Sequence, residues 1–272
     1  MAFQDYELSI ESGRPIRLYR FTLGDTIWRY TSADEDLTIA GQTWKRVSIS
    51  DDGIKQSGES VTDALSIEAS ISVGPAQIYM TSPPSRPIEC AILTMHEGMA
   101  EPVVAYLGDI IQVNYPMPGV ARITVQTIQA SMRRSGLRLS YQRSCPYALY
   151  DPVTCKVNKA DFAQACTIQS IDGFTITATN IGSAVDGRYT GGILQWEHPI
   201  RGVQFVFVER HAGASLVIFG ETADLFVGQI VTLYPGCART TAACNSFSNI
   251  ANYGGFPFMP GKSPFNGASV FY

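Results

Sequence analysis

Charge is scarce in this chain. Lys, Arg, Asp and Glu make up 16% of its 272 residues, against the roughly 25% of an ordinary soluble domain, and the net charge is only −4. The shortage of Lys and Arg excludes a protein that holds nucleic acid by neutralising phosphates. Histidine is scarcer still: His96, His198 and His211 are the only three. No pair of them has helical metal-site spacing, and no Gly-x-Ser-x-Gly elbow is present. Long apolar runs are missing too. The longest, Val203–Val208 and Ser215–Gly220, have strand length and fall far short of the ~20 residues that cross a bilayer. No fixed-period repeat occurs, which excludes solenoids and collagen. The apolar content of 45% excludes intrinsic disorder. Gly261-Lys262-Ser263 resembles the end of a phosphate loop. Phe256 stands where the earlier glycine belongs, however, and Pro257, Pro260 and Pro264 prevent the helix that would face the phosphate. No catalytic residue emerges, and the chain reads as non-enzymatic.

What is present points to β structure. Ile16–Thr22, Thr26–Tyr30 and Thr43–Ser48 are short β-branched and aromatic runs separated by glycine turns. Leu65, Ile67, Ala69 and Ile71 alternate with Ser66, Glu68, Ser70 and Ser72, the pattern of a strand with one wet face. Ile88–Thr94, Val103–Leu107, Asp109–Val113 and Arg122–Ile128 continue the series. A basic join follows at Arg133, Arg134, Arg138 and Arg143, and then Cys145–Cys166, which is helix-permissive. A second strand series runs through Thr167–Ile171, Thr175–Thr179, Gly191–Glu197, Val203–Glu209, Ser215–Phe219 and Gln229–Leu233. Evenly spaced short strands predict sandwiches or barrels, and the length suits two domains. The Gly- and Pro-rich end, Gly254–Gly261, predicts a cover loop or tail. Low charge with many aromatics also fits a subunit that buries surface against partners.

The six cysteines carry the chemistry. Met1–Glu7 has neither the basic start nor the apolar core of a signal peptide, so a cytosolic chain is expected. In that reducing compartment cysteines serve metals or catalysis more often than disulfides. Cys145 and Cys155 form one pair and Cys237 and Cys244 another, and the pairs bracket the second strand series. Four thiolates from two distant loops are the donor set of a tetrahedral metal or an iron–sulfur cluster. The spacings are long for a zinc knuckle. They leave three readings open: metal or cluster, buried thiols, or disulfides. Gly236 would let the backbone approach a cofactor, and Phe256, Phe258 and Met259 would shield it. Cys90 reads as core from its strand pattern; Cys166 reads as core as well, with a place as substitute ligand its alternative.

These motifs bring a family into view. The run from Cys145-Pro-Tyr-Ala-Leu-Tyr-Asp-Pro through Thr154-Cys155-Lys-Val, then Tyr234-Pro-Gly-Cys237-Ala-Arg239-Thr240, Cys244 and Asn252-Tyr-Gly-Gly-Phe-Pro-Phe-Met-Pro-Gly261, resembles the C-terminal signature of the bacteriophage tail-tip or baseplate hub proteins. That family includes the gene-transfer-agent hub protein and is distantly similar to tail tip protein L of lambda-like phages. Trp28-Arg-Tyr-Thr-Ser, Ile39-Ala-Gly-Gln-Thr-Trp44 and Ile54–Asp63 resemble its opening strands. Ala238 stands where relatives often carry an acid.

The resemblance implies a mostly β chain. An N-terminal β-sandwich or barrel hub domain, residues 1–135, is followed by a cluster-binding domain, residues 136–272, with an inserted β-barrel at about 167–233. It implies an iron–sulfur cluster, [4Fe-4S], on Cys145, Cys155, Cys237 and Cys244 at the barrel's base, with zinc on the same four thiolates as the alternative. It implies a structural virion protein of a long non-contractile tail, assembled in the bacterial host cytoplasm. There it would form a homotrimeric ring linking the distal tail protein ring to the central fibre and receptor-binding apparatus, next to the tape-measure protein's C-terminus, without nucleic-acid binding or a membrane span. A rival role is a module that binds host-surface carbohydrate through Trp196, Tyr189 or Tyr234. Their ordinary reading is core or subunit interface.

Overall fold

The computed structural model describes residues 3–9, 14–54, 64–99, 101–127 and 139–260. The basic residues Arg133, Arg134 and Arg138, nearly all of Ile54–Asp63 and the Gly261-Lys262-Ser263 stretch lie outside the described residues. The chain divides into two compact units. One comprises Met1–Arg134 with Glu197–Gln204; the other comprises Ser135–Trp196 with Phe205–Tyr272. The architecture is mostly β, as the alternation in the sequence predicts.

The first unit is built on one nine-stranded sheet. Its strands are β1 (Pro15–Leu23), β2 (Thr26–Thr31), β3 (Leu37–Ile39), β4 (Gln42–Arg46), β5 (Ile49–Asp51), β6 (Leu65–Ser70), β7 (Glu89–His96), β8 (Val103–Met117) and β9 (Val120–Thr127). They lie in the order β3-β4-β2-β1-β7-β8-β9-β6-β5. Neighbours are antiparallel except β2 and β4, which pair parallel. The period of two decides what is buried. Tyr19, Phe21 and Leu23 of β1 meet Ile92 and Cys90 of β7, Ile67 of β6 and Ile123 of β9 in the main core. Leu18, Ala91, Leu93 and Met95 face the other way and pack with Trp44 in a smaller cluster. Helix α1 (Phe3–Glu7) lies against β7, where His96 Nε2 contacts Glu7 Oε1 at 3.0 Å and its ring stacks on Tyr6.

The strand read through Ser72 stops at Ser70. A turn follows, in which the Ile71 N–H donates to the Gly119 carbonyl, and then helix α2 (Gly74–Thr81) begins. Pro75 sits in its first turn, where a missing N–H costs nothing. Eight residues are too few for a clear helical period, which is why the sequence read as uninterrupted β. Val73 and Ala76 press α2 onto the main core.

The second unit is a closed six-stranded barrel, flanked in sequence by the segments that carry Cys145, Cys155, Cys237 and Cys244. Its strands are β10 (Gln164–Asp172), β11 (Thr175–Ala178), β12 (Ile193–His198), β13 (Gly202–Ala212), β14 (Ser215–Phe219) and β15 (Ile230–Tyr234), in the order β10-β11-β14-β13-β12-β15. Closure is made by β10 and β15, which run antiparallel from Gln164↔Leu233 to Thr167↔Ile230. Ile168, Ile176, Leu194, Val208, Leu216, Ile218, Val231 and Leu233 fill the interior. Cys166 lies among them, and Cys90 lies in the core of the first unit, as its strand pattern predicts. Burial pushes the Cys166 thiol up to about 11.

The helix-permissive reading of Cys145–Cys166 is corrected. The described chain there is turns and irregular backbone with one 3-10 turn at Lys159–Phe162, and Gln164–Cys166 already belong to β10. Pro146 and Pro152 interrupt any helix, and Tyr150 and Lys156 adopt left-handed backbone at φ 66° and 60°.

Gly74 tests the packing of α2. Its N–H donates to the Tyr30 hydroxyl at 2.9 Å, and a β-carbon there would overlap the rigid Trp28 indole. Gly74→Ala is expected to cost about 1–3 kcal/mol through overpacking, read as a lower denaturation midpoint for the first unit. An unchanged midpoint would show that Trp28 moves aside freely.

Candidate metal centre

The site begins with what barrel closure does to the chain. The segment entering β10 and the segment leaving β15 must emerge side by side, because those two strands are paired. Cys145 and Cys155 lie on the entering segment. Cys237 follows β15 directly, and Cys244 lies in the short helix α3 (Thr241–Ser246), whose N-cap Thr240 accepts from the Ala243 N–H. All four cysteines line one cavity of about 170 Å³, with Tyr147, Leu149, Gly191, Arg239, Thr240, Asn249 and Asn252. All six cysteines of the chain are free thiols, so no disulfide competes for these sulfurs.

Two residues outside the ligand set join the cysteines in pairs. The Arg239 N–H donates to Cys237 Sγ at 3.4 Å, and the Arg239 carbonyl accepts from the Cys145 N–H at 2.9 Å. Asn249 does the same for the other two. Its side-chain Nδ2 donates to the Cys155 carbonyl at 2.6 Å and lies 3.8 Å from Cys155 Sγ, while its own carbonyl accepts from Cys244 Sγ at 3.2 Å. Tyr150 ties the loops further back, its hydroxyl donating to the Pro235 carbonyl at 2.7 Å. Burial pushes the Tyr150 phenol well above its usual range. Burial also pushes the Cys244 thiol up, with the Cys237, Cys145 and Cys155 thiols adding to the effect.

The backbone is under tension here. Six non-glycine residues of the described chain have positive φ, and four of them, Tyr150, Lys156, Arg239 and Ser248, flank these cysteines. Such conformations cost of order 1 kcal/mol or more each and persist where surrounding contacts over-determine them. The Lys156 N–H is held by the Asp151 carbonyl at 2.7 Å, and the Asp151 carboxylate accepts from both the N–H and the hydroxyl of Thr154. Those hydrogen bonds lower the Asp151 carboxyl below its ordinary value.

Among the described residues no group of three or more His, Cys, Asp or Glu is placed to hold a metal ion. The four thiols that line the cavity are by their chemistry the donor set of tetrahedral zinc or of an iron–sulfur cluster.

Two expectations about the surroundings are corrected. Phe256, Phe258 and Met259 do not shield the cysteines. They line a separate apolar cavity with Tyr141, whose ring lies 5.1 Å from that of Phe256, and Phe258 is 97% exposed. The large apolar side chains in the lining of the cysteine cavity are Tyr147 and Leu149, and Tyr150, Phe162, Tyr234 and Phe247 meet edge to face in a cluster of their own. Gly236 allows a close backbone contact, since a β-carbon there would strike the Thr190 carbonyl. Trp196, Tyr189 and Tyr234 are all buried, so none presents a face to a sugar ring. Among the described residues the cavity has no histidine in its lining. The Gly254–Gly261 stretch is a cover loop over its described part. Gly254 packs on the Tyr147 ring, the Phe256 N–H donates to the Gln142 carbonyl, and Arg143 Nε donates to the Met259 carbonyl at 2.7 Å. Sequence reasoning missed Arg239, Asn249 and Tyr150. Asn249 lay inside a stretch that read only as polar, Asn245–Asn252.

Comparisons with known proteins place the fold in a class. Residues 187–263 match a family described as "Phage conserved hypothetical protein BR0599", a stretch that contains Cys237 and Cys244 but neither Cys145 nor Cys155. An uncharacterized protein of Xylella fastidiosa (strain 9a5c) is 28% identical over 124 residues, or 41% of this chain, and the match spans only 26% of that relative's length. Among solved structures, the chain is similar to a chain of the virion of a native gene transfer agent particle. The two superpose with a TM-score of 0.78 at 15% identity, over 99% of each chain. The likeness to gene-transfer-agent proteins read from the motifs is therefore present in the fold.

Tyr150→Phe tests the bracing of the two loops. It leaves the Pro235 carbonyl without its donor and is expected to cost about 1–2 kcal/mol. The check is a lower denaturation midpoint for the second unit, and equal midpoints would show that the Tyr150 hydroxyl contributes nothing.

Proposed function

We propose that this chain is a structural virion component of a phage-type particle. Its place is the tail tip, as the distal hub ring that links the distal tail protein to the central fibre and receptor-binding apparatus. The observation that carries the reading is the fold likeness to a gene-transfer-agent virion protein along the whole chain. The match of residues 187–263 to a phage family supports it from the sequence side. The role is architectural and needs no catalytic group.

A ring requires copies of the chain to bury surface against one another, and closed point groups are the usual solution. Apolar surface is available for such contacts. In the first unit Val104 and Leu107 stand opposite Leu93 and Ala91 in the β7–β8 register, on the sheet face away from the main core, and both are exposed. In the barrel Phe207 and Phe219 pair across β13 and β14 and are exposed as well. Exposed apolar patches of this kind mark interaction surfaces. The reading takes the assembly to be a homotrimer.

The second part of the proposal is an iron–sulfur cluster, [4Fe-4S], held by Cys145, Cys155, Cys237 and Cys244. A bound cluster supplies iron–thiolate bonds that cross-link the segments entering and leaving the barrel. The residues present fit it, since four thiols and no competing acid or histidine line the cavity. The cysteine pairs would then brace the base of the barrel, and the binding free energy would add to folding. Zinc on the same four thiolates is the second reading.

Purification without oxygen, with iron, sulfide and zinc measured per chain, tests the cluster. Iron and sulfide in equal amounts with a broad visible absorption, both lost in Cys237→Ser, are the expected outcome. One zinc per chain and no colour would replace the cluster with an ion. For the ring, native mass spectrometry of the full chain is expected to give a trimer that Val104→Glu with Leu107→Glu weakens. Exposed substitutions of this kind change stability little. A monomer at all concentrations would contradict the ring.

A further inference from the structure

Asn249 holds more of the cysteine site together than any other residue outside the ligand set. It is buried, with 9% of its surface exposed, in a stretch whose neighbours Asn245, Ser246 and Ser248 are exposed. Every polar group it owns is used on the site. Its backbone N–H donates to the Cys244 carbonyl at 3.2 Å, and its carbonyl receives Cys244 Sγ. Its Oδ1 accepts from Asn252 Nδ2 at 2.6 Å. Its Nδ2 faces the carbonyl and the sulfur of Cys155, 94 residues away in sequence. The orientation of the amide follows from this network. Turned over, Oδ1 would face the Cys155 carbonyl oxygen and Nδ2 would face Asn252 Nδ2, two like-with-like contacts. Ser248, immediately before it, has left-handed backbone at φ 52°, which turns the chain out of α3 and aims Asn249 back at the cavity.

We propose that Asn249 is the positioning residue of this centre. It holds the Cys155 loop in register with Cys244 before any metal arrives, and it directs an N–H at the Cys155 sulfur. The proposal rests on the reading of the four cysteines as a metal centre and adds to it a residue that neither spacing nor motif assigns. Its physical content is twofold. Preorganisation means that loading meets two segments already joined and need not order them. An N–H aimed at a thiolate sulfur stabilises negative charge there, which raises the reduction potential of a sulfur-ligated iron centre. Outer partners of this kind alter metal retention by 10- to 100-fold when removed.

The test uses the full chain with Asn249→Asp, Asn249→Ala and, as a control in the same stretch, Asn245→Asp. Asn249→Asp keeps the shape and the acceptor for Asn252 but replaces the donor to Cys155 with an oxygen, so it covers the case in which the alanine variant fails to fold. Three readings are taken. They are iron release to a chelator, the midpoint potential, and the alkylation rate of each cysteine in metal-free protein by mass spectrometry. The expected result is release at least ten-fold faster and a lower potential for both Asn249 variants. Cys155 and Cys244 should also be alkylated faster together, while Cys90 and Cys166 are unchanged and Asn245→Asp behaves as the parent. A parent that loads iron, with variants equal to it in all three readings, overturns the positioning role and leaves the metal centre standing. A parent that takes up neither iron nor zinc overturns the metal centre, and the alkylation rates then decide alone. Joint acceleration at Cys155 and Cys244 supports positioning, and unchanged rates reject it.

Discussion

The pairing of β10 with β15 is the constraint on which the second unit depends. Four residue pairs, from Gln164↔Leu233 to Thr167↔Ile230, turn an open sheet into a closed barrel. Closure removes the exposed edges that an open sheet must manage. It also fixes where the chain enters and leaves. A segment beginning near Cys145 and a segment ending near Cys244 become neighbours because the strands between them have nowhere else to go. The apolar alternation of the six strands therefore does two things with one set of side chains. It fills the interior with Ile168, Leu194, Leu216 and Leu233, and it sets the separation of the two ligand-bearing segments.

What barrel closure leaves loose, hydrogen bonds tighten. The segment from Cys145 to Lys159 has little regular structure, so its backbone groups need partners elsewhere. They find them on the far segment: Cys145 on Arg239, Cys155 on Asn249, and the Tyr150 hydroxyl on Pro235. The left-handed residues at Tyr150, Lys156, Arg239 and Ser248 are what these reciprocal bonds require of the backbone. A surface loop with no purpose would relax out of such conformations. Here the strain sits beside every sulfur that faces the cavity, and the aromatic cluster of Tyr150, Phe162, Tyr234 and Phe247 packs beside it. Lys159 and Arg188 lie over the faces of two of those rings, Tyr234 and Phe247, which lets the cluster end in charge at the surface.

The first unit has a different logic. A nine-stranded sheet has two faces, and parts of both are buried. Cys90 and Ile92 point one way, Ala91 and Leu93 the other, so β7 reads in the sequence as an unbroken apolar run. Val104 and Leu107 extend the second face beyond what Trp44 and its neighbours cover. A chain that exposes such residues and carries few charges is suited to a place inside a larger assembly.

The sequence by itself determined the strands. Period-two alternation is a local property, so the runs at Leu65–Ser72, Thr175–Thr179 and Ser215–Phe219 mark their strands within a residue or two. It also determined that Cys90 belongs to a core, because it sits on the inward phase of a strand. Only the tertiary structure decided which groups surround the four remaining cysteines. Phe256, Phe258 and Met259 were near in sequence and apolar, yet they face Tyr141 across another cavity, while Tyr150 and Asn249 reach the cysteines from positions no spacing rule selects. The reason is physical. Strand identity is set by neighbours one or two residues apart, whereas the lining of a cavity between chain-distant loops is set by barrel closure and by hydrogen bonds spanning ninety residues, which leave no periodic trace.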